Sequence, residues 1–350
     1  MRRFRDRDFL RTKEGLFFCV VGSVHPLDRV ISYIKYVPAD FGKWGKGKRR
    51  FKRVLESYTI PGLLESFDLL RKRYPHYLFY SKFLNVAMSA VPLEYVEEHY
   101  KPEKKLARLL RTSRLDPLQQ KLKEFITFLS DISGIPENFF GVTGSILLDI
   151  HRPEFSDIDV TVYGSKSSLA LKKALTESYN LPSSFAHPLK DKALKNWCNN
   201  KAQHYPLTFD EAFQIYKRKW NIGIIGDVFF SIHPVKLDQE VKETYGDKTY
   251  RPLGPATIEA VVYENADSLF LPCVYHVKNV EILEGPIEAA EVKAVVSYES
   301  LYDSLAQVGE RIACKGKLEQ VINNKTKYEQ YQLLVGSTEG RGTEYVKLIS

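Results

Sequence analysis

The sequence is poor in sulfur. It has two methionines and four cysteines, Cys19, Cys198, Cys273 and Cys314, which stand far apart with no C-x-x-C spacing. Such scattered thiols exclude a zinc ribbon and a disulfide scaffold, and predict buried thiols in a cytoplasmic protein. No stretch approaches the roughly eighteen consecutive apolar residues of a membrane-spanning helix, so no membrane partner is expected. The apolar run Leu16 to Val24 follows Arg2, Arg3 and Arg5 but fails as a secretory signal. Asp6, Asp8 and Glu14 interrupt its charged lead, and His25-Pro26-Leu27-Asp28-Arg29 stands where a small-residue cleavage site belongs. Repeats and low-complexity tracts are absent too. Negative charge is the scarcer sign, with 43 Asp and Glu against 51 Lys and Arg, a net of +8 that favours an anionic partner such as nucleic acid. The 350 residues, 44% hydrophobic and 27% charged, suffice for two or three globular domains.

The most informative stretch is Gly144-Ser145 followed by Asp157-Ile158-Asp159-Val160. The run Phe155 to Tyr163 alternates, so a strand there turns Asp157 and Asp159 to one face and Ile158, Val160 and Val162 to the other. Two carboxylates on one face suit divalent cations. Upstream, residues 139–143 read as a short strand, and Gly144-Ser145 as a turn into a helix over 146–150, where small residues let backbone N–H groups approach a phosphate. Asp116-Pro117 opens a helix whose apolar face is Leu118, Leu122, Phe125, Ile126 and Leu129, and Gly134-Ile135-Pro136 ends it.

This pattern resembles the DNA polymerase beta superfamily of nucleotidyltransferases, over about residues 116 to 242. The whole chain resembles uncharacterised archaeal proteins known only as presumed nucleotidyltransferases. The resemblance implies that Gly144 and Ser145 hold the triphosphate of an NTP while Asp157 and Asp159 bind Mg²⁺ or Mn²⁺. It also implies a third acid on a later strand. Asp227, at the start of the strand run 228–235, is the first assignment for that catalytic and metal-binding position. Ser231 is the alternative, because Phe230-Ser231-Ile232 has the apolar neighbours the superfamily's acid has, with serine in its place. His233 is either a proton acceptor or a structural strand histidine.

Other residues point to anionic ligands. Thr208 to Glu211 is a capping box, and its helix ends in Lys217, Arg218 and Lys219. Lys217 and Lys219 bind the nucleotide if that end faces the cleft, and otherwise simply offset the helix dipole. From Lys43 to Arg53 a glycine-loosened run carries Lys46, Lys48, Arg49 and Arg50 among Trp44 and Phe51, which reads equally as a nucleic-acid contact or a solvated loop.

The expected fold is α+β, a nucleotidyltransferase-like mixed sheet with helices (116–242). An N-terminal α/β region (1–115) precedes it, with a hairpin at 16–37 and helices near 62–73, 92–100 and 103–111. A small β-barrel or sandwich (243–350), OB-like in one reading, follows, and the N-terminal hairpin is free to complete it. The expected function is metal-dependent transfer of an NMP from an NTP to an acceptor hydroxyl, on RNA or DNA. The alternatives are a non-catalytic nucleotide- or nucleic-acid-binding protein with a degenerate site, and an antitoxin-like transferase acting on protein.

Overall fold

The structure is a computed structural model describing residues 2–47 and 49–349. It is a mixed α+β chain built around three sheets. The first contains β1 (Phe9–Thr12), β2 (Phe17–Val20), β3 (Arg29–Pro38), β4 (Trp44–Lys46) and β5 (Arg49–Arg53), followed by helix α1 (Ile60–Arg73) and then β6 (Leu78–Ser81), β7 (Val86–Pro92) and β8 (Val96–Tyr100). Its strands run in the order β4-β5-β3-β2-β1-β8, with β7 pairing β3 and β6 pairing β7. The expected 16–37 hairpin is present as β2 and β3, and Thr59 caps α1 by accepting from the Gly62 N–H.

Two expectations for this region are corrected. Residues 92–100 do not form an α-helix; Leu93–Tyr95 make a single 3-10 turn before the strand. Their β-branched and aromatic content lets Val96 to Tyr100 pair with β1 instead, in a register that sets Phe9 opposite Tyr100. The basic run is no loose loop either, but the β4–β5 hairpin, with Trp44 opposite Phe51 and Lys46 opposite Arg49. Lys48, at its turn, lies outside the described residues.

The second sheet is the centre of the molecule. It follows α2 (Pro102–Leu110) and α3 (Pro117–Ser133), and comprises β9 (Phe140–Val142), the short helix α4 (Gly144–Leu147), β10 (Ile158–Tyr163), α5 (Ser165–Ser178), α6 (Asp191–His204), α7 (Phe209–Arg218), β11 (Ile222–Ile225) and β12 (Val228–Val235). Helix α6 was not anticipated from the sequence. The order is β11-β12-β10-β9, with β10 parallel to β12 and antiparallel to β9. Asp116 caps α3 in a full capping box with Gln119, and Gly134 closes it in the left-handed conformation. The apolar face of α3 is sealed against Ile158, Val160, Val162, Phe230 and Ile232. Each such side chain contributes about 1.5–3 kcal/mol by burial. Because alternation commits that face of β10 and β12 to the core, Asp159, Thr161, Ser231 and His233 all take the opposite face.

The third sheet comprises β13 (Lys248–Glu264), β14 (Cys273–Glu284), β15 (Val292–Ser297), β16 (Arg311–Asn323), β17 (Glu329–Val335) and β18 (Tyr345–Ile349). Since β13 pairs both β14 and β16, the path β13-β14-β15-β17-β16 closes on itself, with β15 and β17 parallel and β18 added outside β16. This is a barrel, not a sandwich, and the N-terminal hairpin takes no part in it. All four cysteines are buried and unbridged. Among the described residues no helix is long and apolar enough to cross a membrane.

Candidate functional site

The turn from β9 into α4 sets Gly144 directly over the acidic strand. The Thr143 N–H donates to the Asp159 carbonyl at 2.9 Å. Gly144 has φ +66°, and a Cβ there would fall 2.2 Å from Asp159 Oδ2. Glycine is therefore required twice, for the left-handed backbone and for the carboxylate lying against it. Gly144→Ala should lower stability by about 1–3 kcal/mol and push the Asp159 carboxylate off the turn. Denaturant unfolding of the variant, with carboxyl NMR of Asp159, checks both.

Asp157 and Asp159 line one cleft with Ser145, so the structure brings four of the expected residues together. Asp159 accepts from Ser231 Oγ at 2.6 Å, and Ser231 Oγ lies 2.8 Å from His233 Nε2. The proton order that makes both bonds has His233 donating to Ser231 and Ser231 donating to Asp159. Burial opposes the Asp159 charge, yet His233, the positive charge of Lys35 and the Ser231 hydroxyl hold its carboxyl well below the usual range. Burial and the Arg7 charge press His233 down to about 4, so its ring is neutral at pH 7.

Asp157 behaves oppositely. Withdrawal from water raises its carboxyl to about 6 and the Asp159 charge adds to that, against the pull of Arg53, Lys35 and Lys43. In ¹³C carboxyl NMR, Asp157 should titrate near that value and Asp159 below the ordinary carboxylate range. Asp159→Asn should move the Asp157 titration back toward its ordinary value, because the like charge is gone. An unmoved titration would show that Asp159 does not act on it.

The remaining sequence assignments separate from this cleft. β10 and β12 are in parallel register with Asp159 opposite Ser231. Asp227, four residues earlier, is displaced by about 13 Å along the strand at ~3.3 Å per residue. It sits in the two-residue turn joining β11 and β12, its side chain 89% exposed and bonded to Lys121 at 2.7 Å. Ser231, not Asp227, therefore lies beside Asp159. Lys219 is also elsewhere: its Nζ donates to Asp303 Oδ1 at 2.7 Å and to the Ser300 carbonyl at 2.8 Å. Lys217 lies over the Phe213 ring and Arg218 pairs with Glu310. These cations tie α7 to the barrel and to its own surface; they do not reach the nucleotide position assigned to Lys217 and Lys219.

What the sequence reading missed is the other wall of the cleft, which comes from the N-terminal sheet. Tyr36, Lys43, Trp44 and Arg53 face Ser145, Asp157 and Asp159. The docking is specific. The Gly45 N–H donates to the Ile150 carbonyl at 2.7 Å, and Trp44 packs edge-on against Phe155 with ring centres 5.9 Å apart. Phe51, Phe17 and Tyr36 share a core with Leu147, Leu148 and Ile150. Gly45 needs its left-handed φ of +83° and its missing side chain, because a Cβ would fall 2.1 Å from the Arg49 carbonyl oxygen. Lys46 and Arg49 pair next to the hairpin turn, where Arg50 Nε donates to the Gly47 carbonyl. The sequence marked this run by its basic and aromatic composition, but gave no sign that it faces Asp157 and Asp159.

Mg²⁺ prefers hard oxygen donors and is commonly held by one or two carboxylates with substrate phosphates and waters completing its shell. Asp157, Asp159 and the hydroxyls of Ser145 and Ser231 fit that pattern. Among the described residues no cluster of three or more His, Cys, Asp or Glu could hold a metal by itself.

Fold and cleft together define a mixed α+β protein with a glycine-serine turn and an acidic strand enclosed by a basic, aromatic hairpin. The chain is 30% identical over 351 aligned residues to the uncharacterised protein MJ1086 of Methanocaldococcus jannaschii, covering 99% of both chains, and it belongs to that protein's family. No family model matches the chain, and no solved structure matches it.

Proposed function

We propose that this protein is a metal-dependent nucleotidyltransferase moving an NMP from an NTP to an acceptor hydroxyl. The observation that carries the reading is the convergence of Gly144, Ser145, Asp157 and Asp159 in one cleft, with the Asp159 carboxylate against the glycine. In the transfer, the acceptor oxygen bonds to the α-phosphorus as the bond from that phosphorus to the oxygen bridging the β-phosphorus breaks. Pyrophosphate and the acceptor proton leave. A divalent cation held by Asp157 and Asp159 would supply charge neutralisation to the phosphates. The chain's own groups orient: Ser231 and His233 fix the Asp159 carboxylate, Gly144 gives it room, and Ser145 offers a hydroxyl to the phosphates.

The overall positive charge, the basic hairpin end and the small closed barrel support a nucleic acid as acceptor. If Arg49 and Arg50 contact that acceptor, removing both charges should reduce the slope of log K against log salt by about 1–2, near 0.7–0.9 per lost phosphate contact. Electrophoretic titration against single-stranded RNA and DNA at several salt concentrations reads this, and an unchanged slope removes the hairpin end from the interface.

A second reading is nucleotide binding without turnover. It is favoured by one observation, Ser231 standing opposite Asp159, since the resemblance implies a third acid on this strand. Incubation with each of the four α-labelled NTPs, Mg²⁺ or Mn²⁺, and RNA, DNA or total cell protein separates the readings. Label on an acceptor supports transfer, whereas nucleotide binding with no labelled product supports the second.

A further inference from the structure

Two walls of opposite charge share one cleft, and among the described residues no ion pair joins them. On one side stand Asp157 and Asp159, on the other Arg53 and Lys43. Neither cation has a carboxylate partner among the described residues; both lie on aromatic rings. The Arg53 guanidinium is 4.7 Å from the Trp44 ring centre, and Lys43 Nζ is 4.2 Å from that of Phe155. Arg53 Nε is buried with no hydrogen-bond partner. A buried N–H left unmade costs free energy that a ligand can recover. The cations are also rigidly placed, since the hairpin that carries them is pinned through Gly45 to Ile150 and packed through Phe51 on the motif helix.

We infer that Arg53 and Lys43, from the N-terminal sheet, bind the polyphosphate of a nucleoside triphosphate across the cleft from Asp157 and Asp159, so that this sheet is half of the nucleotide site. The inference rests on the nucleotide reading above. It follows from charge and shape: carboxylates and cations that face each other unpaired accommodate a ligand presenting a metal to one wall and phosphate oxygens to the other. Arginine is the side chain suited to bidentate phosphate contact, and stacking on Trp44 holds its plane in place. The binding determinant for phosphate then comes from Lys43 and Arg53 rather than from Lys217 and Lys219, which are turned to the protein itself.

The test is calorimetric titration of the full chain with non-hydrolysable triphosphate analogues of the four nucleosides in Mg²⁺, and with the matching monophosphates. Arg53→Gln and Lys43→Gln should each weaken the triphosphate by about ten- to a hundredfold, the range for a lost charge-assisted bond. The monophosphate should change by less than about threefold. Arg53→Lys should recover part of the loss. Lys43 is exposed, so its variant keeps the test valid should Arg53→Gln lower stability. Unchanged triphosphate affinity in both glutamine variants, or equal weakening of mono- and triphosphate, overturns the inference while leaving the nucleotide reading intact. A wild-type chain that binds none of the four analogues overturns both.

Discussion

The double substitution Asp157→Asn, Asp159→Asn should reduce metal-dependent nucleotidyl transfer by about a thousandfold or more, without unfolding the protein. Divalent-ion stabilisation of a transferring phosphoryl group is worth several kcal/mol, and each ~1.4 kcal/mol is a factor of ten. Asparagine keeps the shape of both side chains, and its carbonyl oxygen at 159 still accepts from Ser231. At position 157 the fold should tolerate the change because the charge on Asp157 is disfavoured in the folded protein. Its carboxyl is raised to about 6 by desolvation and by Asp159, so at neutral pH the native state gains from losing that charge. Thermal unfolding of Asp157→Asn alone should therefore be unchanged or slightly raised, whereas Asp159→Asn should lower it, because the Asp159 charge is favoured in the folded protein. Labelled product formed at wild-type rate by the double variant would contradict the assignment of both acids.

The largest effect on stability should come from Lys219→Met. The Lys219 side chain is 1% exposed and that of Asp303 12%, and the ammonium is bonded to Asp303 Oδ1 as well as to the Ser300 and Asp303 carbonyls. Asp303 Oδ2 also accepts from Asn221 Nδ2 at 3.3 Å, so this network joins the start of β11 to the barrel. Removing one partner leaves a buried carboxylate uncompensated, a loss of about 3–5 kcal/mol. The urea midpoint should fall clearly, and adding Asp303→Leu should restore part of it. An unchanged midpoint with weakened triphosphate binding would return Lys219 to the nucleotide site.

The parts legible in the sequence were those set by local pattern. The alternation of Ile158, Val160 and Val162 against Asp157 and Asp159 describes β10 because one face had to be buried, and Asp116-Pro117 marked the start of α3 because a side-chain cap and a missing N–H belong there. Third-position ambiguity between Asp227 and Ser231 is different in kind. It depends on the register of two parallel strands some seventy residues apart, which no local pattern encodes. One clue was available: Gly226-Asp227 between two apolar runs is the composition of a two-residue hairpin turn, and Gly226 takes the positive φ of 59° such a turn needs.

Residues 92–100 were misread because a charged run containing Tyr95 and Tyr100 satisfies a helical spacing as easily as an edge strand, and pairing with β1 decided it. The placement of the cationic wall opposite the acids was invisible for another reason. Arg53 and Trp44 meet Asp157 only through packing of the first sheet on α4, a contact between segments a hundred residues apart.

The central claim is that the glycine-serine turn and the acidic strand bind a metal–nucleotide complex. Paramagnetic broadening of backbone amides by substoichiometric Mn²⁺, measured with a non-hydrolysable NTP, tests it most directly. The account predicts selective loss of the Gly144, Ser145 and Asp157 to Val160 signals in the wild type, extending to Ser231, and no selective loss in the Asp157→Asn, Asp159→Asn variant. Broadening that leaves these residues sharp, or that is identical in the variant, would contradict it.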